Sequence, residues 1–142
     1  MKRYLLDTNV VSELRKVKPH GAVVAWLHQL REDQTLISAV TVGELQAGIE
    51  LTRQRDPVKA GEIESWVDRV AESFQVVPMD AACFREWGRL MHGKSNDVLE
   101  DALIAATARV HNLTVATRNI RHFKGLDVEL VNPFQTVRAM LG

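Results

Sequence analysis

The chain has 142 residues, enough for one domain with a real core, and its 18 Lys and Arg residues balance 18 Asp and Glu residues. A neutral molecule has no overall field that draws it to nucleic acid or membrane, so any such binding must come from a local patch. The single cysteine, Cys83, excludes a disulfide within the chain, and no apolar run approaches the roughly 18 residues of a membrane helix. We therefore predict a single domain over residues 1–142, located in the cytoplasm.

Short apolar runs alternate along the chain with amphipathic stretches, which predicts strands that alternate with helices. The predicted strands cover residues 3–6, 35–40, 75–79, 114–117 and 128–131, and a terminal segment follows Pro133. This alternation is typical of an α/β fold with a mainly parallel, five-stranded sheet between two layers of helices. In such a sheet, ligands bind beyond the carboxyl ends of the strands, where the winding direction changes.

Three helix starts have capping signals. Thr41 followed by Glu44 has the form of a capping box, and so does Asp97 followed by Glu100. Asp80 precedes a stretch with apolar residues on one side, and we expect it to cap that helix.

Three acids and one amide fall at equivalent places in this alternation. Asp7 ends the first strand, Glu44 lies in the first turn after the second, Asp101 lies near the start of the helix before the fourth, and Asn119 follows the fourth. With right-handed crossovers, these positions share one edge of the sheet. Carboxylates crowded together do not all ionise easily without a cation, and ligand sets made only of oxygen suit Mg²⁺ or Mn²⁺. We therefore expect Asp7, Glu44 and Asp101 to bind such a metal.

Each of these residues also has a purely structural interpretation. Asp7 could be only a helix cap, Glu44 fits its capping box, and Asn119 is common in turns. Asp101 is the hardest to explain in this way, because Asp97 already serves as the cap. The metal-site hypothesis depends on the convergence of the four positions.

Four segments, residues 5–13, 38–48, 101–108 and 115–119, resemble in sequence and order the motifs of the PIN-domain nucleases. The similarity is greatest to the VapC and FitB type toxins of bacterial toxin–antitoxin pairs. The resemblance implies a PIN-like fold and a Mg²⁺- or Mn²⁺-dependent endoribonuclease that hydrolyses RNA phosphodiester bonds. It also implies inhibition by a cognate antitoxin, a homodimer, and a larger assembly with antitoxin and operator DNA.

The resemblance also assigns roles to residues. Asp7 and Asp101 would bind the metal directly, Glu44 would complete the shell or hold a water, and Asn119 falls where many relatives have a fourth acid. Position 119 is an amide here, and His122 stands where relatives often have Asp. The number of metals therefore stays open, and Glu100 or Asp97 is the alternative source of the missing charge.

A basic run follows the fourth strand. Arg118, Arg121 and Lys124 have no acid between them, and we expect them to contact RNA phosphates; the alternative is a solvated loop.

The sequence also suggests partner binding and allows functions other than catalysis. Leu51 and Trp66, on amphipathic helices, could anchor an antitoxin or a second copy of the chain, or could simply be core. The departures at positions 119 and 122 also allow a catalytically silent binding protein of the same fold. A receiver domain and a haloacid-dehalogenase-like phosphatase fit poorly, because the first needs paired acids after its first strand and the second needs Asp where Asn9 stands.

Overall fold

The computed structural model of the protein describes residues 1–135, in which five strands and seven α-helices alternate. The strands are β1 (Tyr4–Leu6), β2 (Thr35–Ser38), β3 (Gln75–Val77), β4 (Thr114–Ala116) and β5 (Leu130–Val131). The helices are α1 (Thr8–Glu13), α2 (Gly21–His28), α3 (Ala39–Arg55), α4 (Pro57–Ser73), α5 (Ala81–Met91), α6 (Leu99–His111) and α7 (Ile120–Phe123). Of the predicted segment after Pro133, residues 136–142 lie outside the described part of the chain.

All neighbouring strands pair in parallel, in the order β3-β2-β1-β4-β5. The predicted α/β fold with five strands is therefore confirmed. The chain builds the sheet outward from β1 to one side and then crosses to the other side to form β4. This reversal places a crevice between the carboxyl ends of β1 and β4.

The sheet is covered on both faces, and the alternation of side chains along β1 shows why. Leu5 points into one apolar cluster, which includes Ala105 and Ala108 of α6. Leu6 points into the opposite cluster, which includes Val10 and Val11 of α1. Because successive strand residues face opposite sides of a sheet, a strand buried on both faces is apolar throughout.

The capping box predicted at Thr41 is wrong. β2 ends at Ser38 and α3 begins at Ala39, because the Ser38 hydroxyl caps the helix by accepting a 3.0 Å hydrogen bond from the backbone N–H of Val40. Thr41 is consequently inside the helix, and its hydroxyl oxygen lies 3.1 Å from that of Thr8, within hydrogen-bonding distance. Glu44 is thereby released from a capping role.

The cap predicted at Asp97 is also wrong. A single 3₁₀ turn, Asn96–Val98, precedes α6, so the capping position falls on Val98, which has no side-chain oxygen. Asp97 is exposed, whereas Asp80 caps α5 as predicted, accepting a 3.0 Å hydrogen bond from the N–H of Cys83. Glu100 and Asp101 place negative charge in the first turn of α6, where it interacts favourably with the positive end of the helix dipole.

The two residues predicted as partner anchors differ in how exposed they are. Trp66 is half-buried and packs among the residues that join α3 to α4, so it belongs to the core. Leu51 is 67% exposed. No helix in residues 1–135 is long and apolar enough to cross a membrane.

Candidate active site

A cavity of about 740 Å³ opens at the carboxyl end of the sheet, beside the ends of β1 and β4. The three acids predicted to converge, Asp7, Glu44 and Asp101, all line it, and so do Asn119 and His122. The remaining lining residues are Thr8, Asn9, Ser12, Asn96, Asp97, Leu99 and Glu100. The structure therefore brings the acids together at the predicted edge.

Asp7 is 5% exposed and is the most constrained of the acids. One carboxylate oxygen, Oδ1, accepts a 2.9 Å hydrogen bond from the N–H of Thr8 at the start of α1. The other, Oδ2, accepts hydrogen bonds from the hydroxyl of Thr117 at 2.8 Å and from Nδ2 of Asn9 at 3.1 Å. Burial raises the pKa of the Asp7 carboxyl, and these three donors oppose that rise. Asp7 is thus both a cap and a fixed wall of the cavity.

Glu44 enters the cavity from the second turn of α3. Its Oε1 accepts a 3.1 Å hydrogen bond from the hydroxyl of Thr8. Burial raises the pKa of Glu44 to about 7, the Thr8 hydroxyl opposes the rise, and the charges of Glu100 and Asp7 add to it. A carboxyl with such a pKa exchanges protons near neutral pH.

Asp101 lies in the first turn of α6 and contacts a basic side chain. Nδ1 of His122 lies 3.3 Å from Oδ2 of Asp101. Burial and the charge of Asp7 raise the pKa of Asp101, whereas His122 lowers it. Where relatives often have Asp, this structure therefore has a histidine in contact with one of the three acids.

Thr117 is the residue that sequence reasoning missed. Its hydroxyl, fully buried, donates to Asp7 and accepts hydrogen bonds from the N–H of Asn119 at 2.9 Å and from Nδ2 of Asn9 at 3.3 Å. Leu6 and Ala116 are register partners in β1 and β4, so the residues that follow them, Asp7 and Thr117, are neighbours. Only the pairing of β1 with β4, which the sequence does not show, could have identified it.

The three cations of the predicted basic run, Arg118, Arg121 and Lys124, lie in different environments. The guanidinium of Arg118 lies 3.8 Å from the centre of the Phe134 ring, and its backbone N–H donates to Oδ1 of Asn9 at 3.1 Å. Arg121 lines a second cavity that adjoins the first, and Lys124 is exposed and lines neither of the two.

The chemistry of the donors at the first cavity fits a hard divalent cation. Asp7, Glu44 and Asp101 offer only carboxylate oxygens, and like charges contribute to the raised pKa values of Glu44 and Asp101. A bound cation would relieve that repulsion. Within residues 1–135, however, no three His, Cys, Asp or Glu side chains are arranged closely enough to hold one ion as they stand. Full coordination by all three acids would require their side chains to move inward.

Comparison with known proteins decides the family. A family profile described as the PIN domain matches residues 4–128, most of the chain. The chain belongs to the PIN domain family. This PIN domain is 35% identical to the Toxin FitB of Neisseria gonorrhoeae over 137 residues, which cover 92% of this chain and 97% of that protein. It is 34% identical to the VapC ribonuclease Y4jK of Sinorhizobium fredii, with the same coverage.

A solved structure of FitAB bound to an IR36 DNA fragment contains a chain that superposes on this PIN domain with a TM-score of 0.79. That chain is 33% identical, and the match covers 93% of this chain and 96% of the other. The predicted resemblance is therefore confirmed, and the matched region includes the positions of Asp7, Glu44, Asp101 and Asn119.

Proposed function

We propose that this PIN domain is a divalent-metal-dependent endoribonuclease that acts as the toxin of a toxin–antitoxin pair. The observation that carries the proposal is the convergence of Asp7, Glu44 and Asp101 on one cavity where the winding of the sheet reverses. The similarity to proteins named as a VapC ribonuclease and a FitB toxin supports the same activity.

In this proposal Asp7 and Asp101 hold Mg²⁺ or Mn²⁺, and Glu44 completes the set. When bound, such a cation supplies Lewis-acid activation of water and neutralises negative charge on the phosphoryl group. Asp7 presents its oxygens in an orientation set by Thr8, Asn9 and Thr117.

Glu44 and Asn119 have different tasks. Without a cation the pKa of Glu44 is about 7, and a bound cation would favour its ionised form, in which the carboxylate can complete the metal's shell or hold a water. Asn119 lines the cavity and offers both a donor and an acceptor, so its amide can orient the water or the phosphate without adding charge. Arg118, Arg121 and Lys124 would contact phosphates of the RNA beyond the cavity.

Asp7→Asn tests the catalytic assignment. The variant keeps the size of the side chain and an oxygen for capping, so we expect RNA cleavage in Mn²⁺ buffer to be lost while the melting curve stays nearly unchanged. The control is Asp68→Asn, which changes an exposed acid of α4. Cleavage by the Asp7→Asn variant at the wild-type rate would refute the assignment.

The proposed protein partners are a cognate antitoxin and a second copy of the chain, assembled on operator DNA. The solved FitAB complex on DNA, with a chain 33% identical to this one, supports this part. Leu51 is exposed beside a cavity of about 510 Å³ at the turn from α3 to α4, where an apolar partner side chain could dock.

Co-expression with the product of a short adjacent reading frame tests the antitoxin contact. We expect the two proteins to co-purify and cleavage to stop in the complex. Leu51→Asp should reduce co-purification, whereas Val17→Asp, at a position 99% exposed and outside that cavity, should not. Equal capture of both variants would exclude Leu51 from the contact.

A catalytically silent binding protein is the second candidate, and the contact of His122 with Asp101 is the observation that favours it. An imidazole that contacts Asp101 competes with a cation for the oxygens of that carboxylate. RNA cleavage that requires Mn²⁺ and stops with EDTA would exclude this alternative, and absence of cleavage with every divalent metal would favour it.

A further inference from the structure

A second cavity, of about 530 Å³, adjoins the acidic one. The two cavities share Asp97 and His122 in their linings, so they lie side by side. The stretch 94–98 contributes to both cavities, because Asn96 lines the first, and Lys94 and Val98 line the second. A strand that leaves the acidic cavity past Asp97 and His122 would meet the second one.

The two cavities have opposite charge. Five acids and one histidine line the first, whereas Lys94 and Arg121 outnumber the single acid, Asp97, in the second. In the part of the chain that the structure describes, neither Lys94 nor Arg121 forms an ion pair within 4.0 Å. Both cations are therefore available to an anionic ligand.

The second cavity also has an apolar floor. Leu126 is 1% exposed and Val98 is half-buried, and both line it. Gly125 also lines this cavity, and a Cβ atom there would lie 3.7 Å from Cε of Lys94, an ordinary van der Waals contact. An apolar floor and two cations in one cavity match a nucleotide, which has a flat apolar base and a charged phosphate. The volume of the second cavity lies within the range of small-ligand sites, roughly 300–1,000 Å³.

We infer that this second cavity is a nucleotide subsite, which holds the nucleotide next to the scissile phosphodiester of a single-stranded RNA. Lys94 and Arg121 contact the phosphate of that nucleotide, and its base packs on Val98 and Leu126. We expect the strand to be single at this point, because a base inside a duplex would first have to lose its pairing and stacking before it could enter a pocket. The inference rests on the proposed ribonuclease activity for the identity of the ligand.

Binding is the first measurement, because it does not depend on cleavage. A short fluorescein-labelled single-stranded RNA of mixed sequence is titrated, in Mn²⁺ buffer, with the Asp7→Asn protein and with the same protein carrying Lys94→Ala or Arg121→Ala. We expect each alanine to weaken binding about tenfold and to lower the slope of log K against log salt by roughly 0.7, the value for one phosphate contact in a single strand. The controls are Lys59→Ala and Arg69→Ala, exposed cations of α4 that line neither cavity.

A steric variant separates occupation of the cavity from general attraction by charge. Gly125→Leu adds a large side chain to the lining of this cavity and keeps both cations, so we expect it to weaken binding and to raise KM with little change in kcat. Gly125→Ala adds only an ordinary contact, so we expect it to weaken binding clearly less than Gly125→Leu. If Gly125→Leu binds with unchanged affinity, or if the alanine variants match the controls, the subsite is refuted.

The outcomes distinguish this inference from the proposed function. If the wild-type protein cleaves RNA, and substitutions at Lys94, Arg121 and Gly125 change neither binding nor cleavage, the subsite alone is overturned. Binding that depends on these residues, without cleavage in any divalent metal, would overturn the ribonuclease and leave the subsite standing. A protein that neither binds nor cleaves single-stranded RNA overturns both.

Discussion

The hydroxyl of Thr117 donates a 2.8 Å hydrogen bond to Oδ2 of Asp7, and this contact joins the ends of β4 and β1 at the bottom of the acidic cavity. Both side chains are buried, so neither can exchange this bond for one with bulk water. Thr117 therefore positions Asp7 without needing to touch a substrate.

Replacement of Thr117 by Val keeps the shape of the side chain and removes the hydroxyl. Because the hydrogen bond lowers the pKa of Asp7, its loss should raise that pKa further and weaken binding of Mn²⁺, by roughly 10–100-fold, as for other residues that orient a metal ligand. Calorimetric titration with Mn²⁺ measures this change. Thr117→Ser retains the hydroxyl and should restore most of the affinity, so equal loss in both variants would contradict a role for the hydrogen bond.

The pKa of Glu44 predicts a pH dependence of stability. The folded protein holds this proton up to about pH 7, whereas the unfolded chain loses it near the usual value of 4.5. Between these two values the folded state binds more protons, so the free energy of unfolding should fall as pH rises through this range. The raised pKa values of Asp7 and Asp101 act in the same direction.

Melting temperatures of EDTA-treated protein test this between about pH 5 and about pH 8. We expect the melting temperature to decrease with rising pH, and the decrease to be smaller in Glu44→Gln, which cannot titrate. If melting temperature falls with pH equally in the two proteins, Glu44 does not cause the pH dependence of stability.

Asp101→Asn should separate activity from stability. Asp101 faces the charge of Asp7, and this repulsion contributes to its raised pKa. Removal of one charge relieves the repulsion, so we expect a melting temperature equal to or above that of the wild type and a loss of RNA cleavage of at least about a hundredfold, since active sites often store such strain. A variant that melts lower and still cleaves RNA would contradict both parts.

Phe123 anchors the short helix that carries Arg121 and His122. Its side chain is fully buried and packs in the cluster that includes Leu126 and Val115. Phe123→Ala should lower the free energy of unfolding by about 3–5 kcal/mol, measured by urea denaturation, because it leaves a cavity. Phe123→Leu fills most of the space and should cost clearly less; equal losses would mean that the site collapses around either residue.

The alternation of apolar and amphipathic segments was sufficient to predict the α/β class and the five strands. It was also sufficient to place Asp7, Glu44 and Asp101 at one edge, because strand ends and helix starts of a parallel sheet necessarily meet there. Local signals at helix starts were less reliable. Ser38 and Thr41 both suit a cap, and only the packed structure shows that Ser38 is used.

The features of this PIN domain that can be predicted from its residues are therefore periodic and local: which segments bury side chains, and which residue types follow each strand. The pairing of distant residues came only from the folded chain: Thr117 with Asp7, His122 with Asp101, and Lys94 with Arg121 in the lining of one cavity. The first two contacts join residues 110 and 21 positions apart in the chain. Such contacts depend on the order of the strands and on the path of each connection, and no spacing within one segment encodes either of them.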